Sequence, residues 1–319
     1  METLHVKDLY TKFFTLDGVA NVLNGISISV SEGKMVSVVG ETGSGKTVML
    51  MSILGIVRPP GKVTSGEVLF FGEDLRLKDR DEMNEILGKE ISYITQNPRA
   101  ALNPMIRVGD QIANVIQVHT NCSKDEAYRQ AVAMIELVGI SDPKQRAKAY
   151  PHELSGGMAQ RICIALALSC SPKLLLADDP TTGLDVTIQT QVLDEMAELI
   201  RKYNYSTLIV TRDVGVVAQY CDEVAVLYAG QLIEHTDTKT FFRDARHPYS
   251  VAFLTRARTI STERRKHVKG VPPDFRYLPE GCYYHPRCEE MTALCKKESP
   301  GLKEIGPGHF VRCHLADGM

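Results

Sequence analysis

The sequence has no excess of basic residues, since 37 Lys and Arg stand against 39 Asp and Glu for a formal net charge of -2. Such a balance provides no positive field for nucleic acid, so RNA and DNA are not expected as partners. No apolar run approaches the roughly 20 residues that a membrane-spanning helix needs. The first residues, METLHVKDLYTKFF, lack the basic segment and apolar core of a signal peptide, so we expect the chain to fold in the cytoplasm.

Internal repeats and low-complexity tracts are also lacking, and a hydrophobic content of 44% over 319 residues suffices for a substantial core. Short β-branched runs alternate with stretches of helical spacing, which predicts an α/β fold with a largely parallel sheet covered on both faces. The predicted strands are GISISV, MVSVV, EVLFF, ISYIT, LLLA, TLIVT and EVAVLY, and the predicted helices are 46–56, 106–117, 124–138, 156–169 and 187–203.

A glycine-rich segment, GETGSGKT, follows the predicted strand MVSVV and precedes a predicted helix. It fits the pattern G-x-x-x-x-G-K-[ST], in which backbone N–H groups and a helix N-terminus surround phosphate oxygens. The sequence therefore predicts a nucleotide site in which Lys46 reaches the terminal phosphates and Thr47 binds Mg²⁺. The predicted ATP-binding residues of this phosphate loop are Gly40, Glu41, Thr42, Gly43, Ser44, Gly45, Lys46 and Thr47.

Two adjacent aspartates, Asp178 and Asp179, follow the apolar run LLLA. Open sheets bind ligands at the carboxyl ends of their strands, so Asp178 is the expected carboxylate of the Mg²⁺ shell. The alternative is that Asp178 only caps the turn before Pro180.

A second glycine motif, LSGGMAQR, begins about 110 residues after the phosphate loop and opens a predicted helix. Its N–H groups, hydroxyl and helix dipole predict a second anion site, unless Ser155 merely caps the helix. Together the two motifs resemble those of ABC-transporter ATPases, whose signature motif this segment matches. The resemblance implies a P-loop NTPase (RecA-like) core with an antiparallel β subdomain and a helical subdomain. It also implies head-to-tail pairs, in which this chain would complete the partner's ATP site with Ser155, Gly156, Gly157 and Gln160.

The resemblance covers residues 1 to about 235 and includes three further positions. Phe13 in YTKFF lies where the family stacks an aromatic ring on adenine, with a core position as the alternative. Gln96 in YITQNP matches the glutamine that contacts Mg²⁺ and the attacking water, and Asp185 in TTGLD matches a loop at the dimer interface. The implied magnesium residues are therefore Thr47, Gln96 and Asp178.

The segments SYITQNPRAALNP and HPYS and the C-terminal GCYYHPRCEEMTALC resemble the dipeptide and oligopeptide importers within that family. Four cysteines of this region have the spacing C-x5-C-x6-C-x17-C: Cys282, Cys288, Cys295 and Cys313. Four thiolates suit a [4Fe–4S] cluster or a structural zinc, and members of this branch carry a cluster on four matching cysteines. Zinc and free buried thiols are the alternatives. The nearby histidines are interpreted as surface or outer groups rather than ligands: His285, His309 and His314.

Two residues depart from the family pattern beside the reacting phosphate. Asp179 replaces the glutamate that polarises the attacking water, which withdraws the carboxylate by about 1.5 Å. Arg212 in LIVTRDVG replaces a histidine that contacts the γ-phosphate, and arginine cannot accept a hydrogen bond. These changes predict a chain that binds ATP, hydrolyses it poorly, and forms a heterodimer with a different ATPase chain. The alternatives are that Arg212 only supplies charge and turnover continues, or that it pairs with a nearby acid.

We therefore expect the ATP-binding subunit of a peptide ABC importer, peripheral at the cytoplasmic face of the cell membrane. Its expected partners are two transmembrane permease subunits and an extracellular solute-binding protein. Residues 1–240 would form the ATP-binding domain, with the helical subdomain at about 100–158, and residues 241–319 a C-terminal extension with a small Cys-rich module. The alternatives are a nickel or oligosaccharide importer, a soluble ABC ATPase of DNA repair or translation, and an electron carrier regulated by nucleotide.

Overall fold

A computed structural model of the protein describes residues 1–258 and 270–316. The chain divides into two compact units, each discontinuous in sequence. We call them the phosphate-loop unit and the helical unit. The phosphate-loop unit comprises Glu2–Val30, Met35–Arg76 and Val210–Met319, and the helical unit comprises Met1, Ser31–Lys34 and Leu77–Ile209.

All the strands and helices predicted from the sequence patterns are present. In chain order the strands are β1 (Glu2–Thr15), β2 (Gly18–Ser31), β3 (Met35–Val39), β4 (Gly61–Phe70), β5 (Glu73–Asp74), β6 (Ile91–Ile94), β7 (Leu174–Asp178), β8 (Ser206–Thr211), β9 (Glu223–Tyr228), β10 (Gln231–Asp237), β11 (Lys303–Gly306) and β12 (His309–Val311). The helices are α1 (Lys46–Ile53), α2 (Arg80–Ile86), α3 (Pro98–Ala101), α4 (Val108–His119), α5 (Lys124–Leu137), α6 (Pro143–Arg146), α7 (Gly156–Leu168), α8 (Val186–Tyr203), α9 (Val214–Tyr220), α10 (Thr238–Asp244) and α11 (Pro248–Arg258).

The phosphate-loop unit contains an antiparallel sheet with the strand order β2-β1-β4-β5. The strand β1 was not among the strands predicted from the sequence, although Leu4 and Val6 alternate and are fully buried. Its pairing with β4 is irregular between Lys7 and Thr11, which interrupts the simple alternation that a pattern search detects.

A second set of strands in the same unit runs in the order β11-β12-β10-β9-β3. Only β3 and β9 are parallel there, and β10, β11 and β12 pair antiparallel. The prediction of a largely parallel sheet is therefore wrong for this edge. The physical reason is the tight turn between β9 and β10, in which Ala229 (φ 46°) and Gly230 (φ 75°) both adopt the left-handed conformation that closes a two-residue hairpin.

The C-terminal region continues this set of strands, because β12 pairs with β10. Residues 270–316 thus share one compact unit with the phosphate loop, and a separate Cys-rich C-terminal module is not confirmed. The pairing also joins two buried polar side chains, Glu234 of β10 and His309 of β12, whose Oε1 and Nε2 atoms lie 2.8 Å apart.

The helical unit contains the parallel pair β6 and β7 and the helices α2 to α8. Three of its longer helices, α5, α7 and α8, begin after polar residues whose side chains accept an N–H of the first turn: Ser123, Ser155 and Asp185. Across the part of the chain that the structure describes, no helix is both long and apolar enough to cross a membrane.

Candidate functional site

The phosphate loop follows a strand that is buried at every position, β3, and leads directly into α1. Gly43 (φ 80°) and Gly45 (φ 105°) adopt the left-handed conformation that lets the loop wrap. No side chain caps α1, whose N-cap residue is Gly45. The N-terminus of α1 therefore lies directly after the loop, which is the arrangement that phosphate-binding motifs of this type use.

The side chain of Lys46 lies across the loop that precedes it. Its Nζ donates hydrogen bonds to the carbonyl oxygens of Gly40 (2.8 Å) and Glu41 (2.9 Å), and Ser44 Oγ is 3.4 Å away. These oxygen acceptors hold the ammonium group inside the loop. A phosphate placed in the loop therefore meets a positive charge that is already in position.

The residue after Gly40, Glu41, contacts two side chains that lie more than 200 positions away in the sequence. Its backbone N–H donates to the Tyr249 hydroxyl at 2.9 Å. Its carboxylate accepts two hydrogen bonds from Arg287, at 2.8 and 3.1 Å. Burial lowers the pKa of Arg287, but the hydrogen bonds that it donates to Glu41 and Tyr228 outweigh that effect and raise it, so the guanidinium stays charged.

Phe13, the predicted adenine contact, lies opposite Gly61 in the pairing of β1 with β4 and is half-buried. A Cβ at Gly61 would come within 2.7 Å of Phe13 Cε1, so the ring packs directly over this glycine. Arg212 follows the last residue of β8 and has an exposed side chain.

The four C-terminal cysteines lie in the phosphate-loop unit. Backbone N–H groups two residues further on donate to three of the thiols, from Tyr284 to Cys282, from Glu290 to Cys288, and from Leu315 to Cys313. The fourth thiol and its partner are Cys295 and Thr292, with Sγ and Oγ1 3.4 Å apart.

Burial raises the pKa of Cys282, and the charges of Cys295 and Cys313 raise it further. Burial likewise raises the pKa of Cys288, to about 11. Among residues 1–258 and 270–316, no group of three or more His, Cys, Asp or Glu side chains is arranged to hold a metal ion.

His309 is not a surface residue, whereas its interpretation as an outer group around the cysteines stays a prediction. This side chain is 6% exposed and pairs with Glu234, which is fully buried. Glu234 also accepts the backbone N–H groups of Arg246 (2.8 Å) and His247 (2.9 Å). Burial raises the pKa of Glu234, but its hydrogen bonds, led by that of His309, lower it overall.

In the helical unit, Asp178 ends β7 and is 3% exposed. The Tyr93 hydroxyl of β6 donates to Asp178 Oδ2 at 3.2 Å. Burial and the Asp178 charge raise the pKa of Tyr93, so the phenol stays neutral and can donate. Asp179 has φ 44°, in the left-handed region, which an aspartate tolerates better than longer side chains do.

The signature segment begins α7. Ser155 is exposed, and its hydroxyl accepts the Met158 N–H at 3.2 Å, so it does cap this helix. Gly157 packs against α8, because a Cβ there would come within 2.6 Å of Ile188 Cγ2. Gln160 is only 1% exposed, and its Nε2 has no hydrogen-bond partner among the described residues.

Gln96 is exposed in the connection between β6 and α3. The next residue, Asn97, caps α3 by accepting the Ala100 N–H at 3.3 Å. Asp185, the predicted dimer-interface residue, accepts the Ile188 N–H at 3.1 Å and thereby caps α8.

The predicted residues therefore fall into two groups, one in each unit. The phosphate-loop unit holds Phe13, Gly40–Thr47, Arg212 and the four cysteines. The helical unit holds Gln96, Asp178, Asp179, Ser155, Gly156, Gly157, Gln160 and Asp185.

Comparison with known proteins decides the family. A family profile described as "ABC transporter" matches residues 23–182, and one described as "Oligopeptide/dipeptide transporter, C-terminal region" matches residues 233–295. The chain is 42% identical over 320 residues to the dipeptide transport ATP-binding protein DppD of Bacillus subtilis, covering 99% of this chain and 95% of that protein. The chain belongs to the ABC transporter ATP-binding proteins.

Other members of the family are similar over nearly the same length. The oligopeptide transport ATP-binding protein AppD of Bacillus subtilis is 42% identical, covering 98% of this chain and 96% of that protein. The oligopeptide transport ATP-binding protein OppD of Escherichia coli is 39% identical, covering 97% of this chain and 92% of that protein. A dimeric ATP-binding cassette solved with ADP and phosphate shares the fold, with a TM-score of 0.67 at 24% identity over 74% of this chain and 98% of that one. The predicted ABC ATPase fold is thus confirmed.

Sequence reasoning missed several residues that surround the phosphate loop of this ABC transporter ATP-binding protein. Tyr249 belongs to the HPYS segment and Arg287 directly precedes Cys288, and neither residue is among the predicted site residues. Their contacts with Glu41 join positions 208 and 246 residues apart. No local pattern indicates such pairs.

Proposed function

We propose that this chain is the ATP-binding subunit of an importer for dipeptides or oligopeptides. The observation that carries the proposal is the match of residues 233–295 to the C-terminal region of oligopeptide and dipeptide transporters. Relatives about 40% identical over nearly the whole chain are dipeptide and oligopeptide transport ATP-binding proteins. These names favour peptide import over nickel or oligosaccharide import, and a transport protein over a soluble ATPase of repair or translation.

ATP would bind with its phosphates in the loop from Gly40 to Thr47. Lys46 contributes the positive charge, the first N–H groups of α1 contribute donors, and Thr47 would contact Mg²⁺. Gln96 and Asp178 are the further magnesium residues of this proposal, and Phe13 would support adenine. The hydrogen bond from the Tyr93 hydroxyl orients the buried Asp178 carboxylate, which supports its part in this site.

Hydrolysis at this chain's own ATP site would be slow. Asp179 is one methylene shorter than the glutamate of the family pattern, and positioning accounts for most of the catalysis of phosphoryl transfer. Arg212 lies in place of a histidine, and its exposed guanidinium cannot accept a hydrogen bond. The proposal is thus a site that binds ATP and holds it.

The signature motif would act on the ATP site of a second, different ATPase chain. Ser155, Gly156 and Gly157 lie at the start of α7, where the helix dipole favours an anion. In the described conformation Gln160 is buried, so the signature contacts would come from Ser155 and the glycines unless α7 moves. Two membrane-spanning permease subunits and an extracellular solute-binding protein would complete an importer on whose cytoplasmic side this chain lies.

The four C-terminal cysteines would hold a [4Fe–4S] cluster. Support comes from the hydrogen bonds that the thiols receive, since such donors are typical around cluster sulfurs. The charges of Cys295 and Cys313 act on the pKa of Cys282, and that of Cys295 acts on the pKa of Cys313, which supports a position of these thiols near one another. Iron and sulfide content of anaerobically purified protein would test the assignment, and zinc alone would contradict it.

ATP turnover by the assembled transporter tests whether this chain's own ATP site hydrolyses more slowly than the site that its signature motif completes in the partner. Ser155→Arg and Asp179→Asn, each made in this chain only, separate its signature from its own catalytic carboxylate. We expect Ser155→Arg to abolish turnover, because it would block the partner's ATP site. Asp179→Asn should leave turnover within about twofold of the unsubstituted transporter, because this site contributes little.

The control is the corresponding Glu→Gln substitution in the partner ATPase, which should abolish turnover. Loss of turnover in Asp179→Asn would show that Asp179 is a working catalytic carboxylate. A functional transporter containing two copies of this chain would contradict the heterodimer.

A further inference from the structure

The contact between Glu41 and Arg287 joins the phosphate loop to the cysteine-bearing region. Arg287 is buried, with 5% of its side chain exposed, and Glu41 has 17% exposed. Two hydrogen bonds of 2.8 and 3.1 Å connect them in the two-point geometry that only arginine provides. This is a desolvated ion pair rather than a surface contact.

The position of Arg287 is fixed by one contact of its backbone and one of its side chain. Its backbone lies in a short 3-10 turn between Cys282 and Cys288, in which the N–H of Arg287 donates to the Tyr284 carbonyl at 3.0 Å. Its guanidinium lies over the Tyr228 ring, with 5.6 Å from Cζ to the ring centroid. A fixed backbone and a ring beneath the side chain hold the charge in one place.

Glu41 also contacts Lys46, the lysine whose charge is proposed to bind phosphate. Lys46 Nζ donates to the backbone carbonyl of Glu41 at 2.9 Å, so residue 41 contacts Lys46 through its backbone and Arg287 through its side chain. Without Arg287, the carboxylate of Glu41 would be an uncompensated negative charge beside a loop that binds a polyanion.

We propose that Arg287 is a positioning residue for ATP binding, which neutralises the Glu41 carboxylate and holds it away from the lysine and N–H groups of the phosphate loop. This inference rests on the proposed binding of ATP by that loop. It gives the segment between the first two cysteines a direct effect on nucleotide affinity, which nothing in the phosphate-loop motif indicates.

The test is the affinity of the full chain for MgATP, measured by calorimetry on anaerobically purified protein. Arg287→Met should weaken binding about tenfold, because it leaves Glu41 unpaired. The double variant Arg287→Met with Glu41→Gln should recover affinity to within about threefold of the unsubstituted chain, because the charge that Arg287 neutralises is gone. A purely structural role would not be rescued by this second substitution.

Arg276→Met is the matched control, because Arg276 forms an ion pair in the same region with an exposed partner, Asp274, at 2.6 Å. Its affinity should equal that of the unsubstituted chain. Unchanged binding in Arg287→Met, or a double variant as weak as Arg287→Met, would overturn the inference. If Arg287→Met does not fold, Arg287→Lys tests the same contact, because lysine lacks the two-point geometry. Unchanged affinity for MgATP in Arg287→Lys would also overturn the inference about Arg287. If the unsubstituted chain does not bind MgATP, the proposed function is refuted instead.

Discussion

The two units hold their candidate functional residues in different ways. In the helical unit, Ser155, Asp185 and Asn97 each accept an N–H three positions further along the chain. In the phosphate-loop unit, Glu41 is held by Tyr249 and Arg287, which are 208 and 246 positions away. One unit orients its site by local caps, and the other by contacts that need the complete fold.

The difference has an energetic side. A lost helix cap costs about 0.5–2 kcal/mol, whereas breaking a buried charge pair costs about 3–5 kcal/mol. Substitutions of the two kinds should therefore differ in how far they destabilise the protein. The predictions below test this, beginning with the largest expected effect.

Glu234→Ala should be the most damaging change. It removes the buried acceptor of His309 and of the Arg246 and His247 backbone N–H groups, and should lower the free energy of unfolding by about 3–5 kcal/mol. Urea unfolding followed by circular dichroism measures this loss in the free energy of unfolding. The control is Glu223→Ala, which breaks a Glu–His pair with His235 at 3.0 Å that is partly exposed, and should cost at most about 1 kcal/mol. Equal losses would contradict the importance of burial.

Acid should destabilise the phosphate-loop unit through His247. Burial lowers its pKa to about 4, with Arg312 acting in the same direction and Glu234 against it. Between about pH 6.5 and pH 4 the unfolded chain binds a proton that the folded chain does not, so stability falls as pH falls, by up to about 3 kcal/mol.

His247→Asn is the variant that tests this pH dependence, because asparagine keeps an acceptor for the Tyr249 N–H, 3.0 Å from His247 Nδ1. Urea unfolding at pH 7 and pH 5 should show a smaller loss of stability in the variant than in the unsubstituted chain. The same loss in both would assign the pH dependence to other groups.

Gly157→Ala should destabilise the helical unit by about 1–3 kcal/mol, because the new Cβ would lie 2.6 Å from Ile188 Cγ2 and force α7 and α8 apart. The adjacent Gly156→Ala is the control, since the nearest atom to its Cβ would be Leu184 Cδ2 at 3.4 Å. That variant should be neutral or slightly stabilising, because alanine favours a helix. Equal destabilisation of both variants in urea unfolding would show that backbone conformation, not packing, requires the glycines.

Ser155→Ala should have the smallest effect, about 1 kcal/mol, because it removes only the cap of α7. Ser155→Asp should retain stability, because aspartate also caps. Urea unfolding again provides the measurement. A loss above about 3 kcal/mol in Ser155→Ala would mean that the local cap is not the main role of this hydroxyl in the folded chain.

The success of prediction from the sequence follows the same division. The strands and helices can be predicted because their periodicity is local, and the phosphate loop because its glycines and lysine lie within eight residues of one another. The hairpin of β9 and β10 was not predicted, because Ala229-Gly230 is a weak turn pattern. The burial of His309 could not be predicted, since it depends on Glu234, 75 positions earlier.

Two sequence interpretations of the signature also needed the structure. A hydroxyl at the start of a helix can cap that helix or contact an anion, and the Ser155–Met158 hydrogen bond shows that the first occurs. Gln160 belongs to the motif in sequence, yet helical geometry turns it inward, where it is 1% exposed. Position in a motif therefore does not establish exposure.

The pairing of β10 with β12 determines when the phosphate-loop unit can complete its fold during synthesis. The helical unit is nearly continuous, from Leu77 to Ile209, whereas the phosphate-loop unit needs both Leu4 of β1 and Val311 of β12. At about 5–20 residues per second, a ribosome needs about 5–20 s to add the roughly one hundred residues after Ile209. Tyr249 and Arg287 are added only during that interval, so the phosphate loop emerges from the ribosome long before the two side chains that hold Glu41.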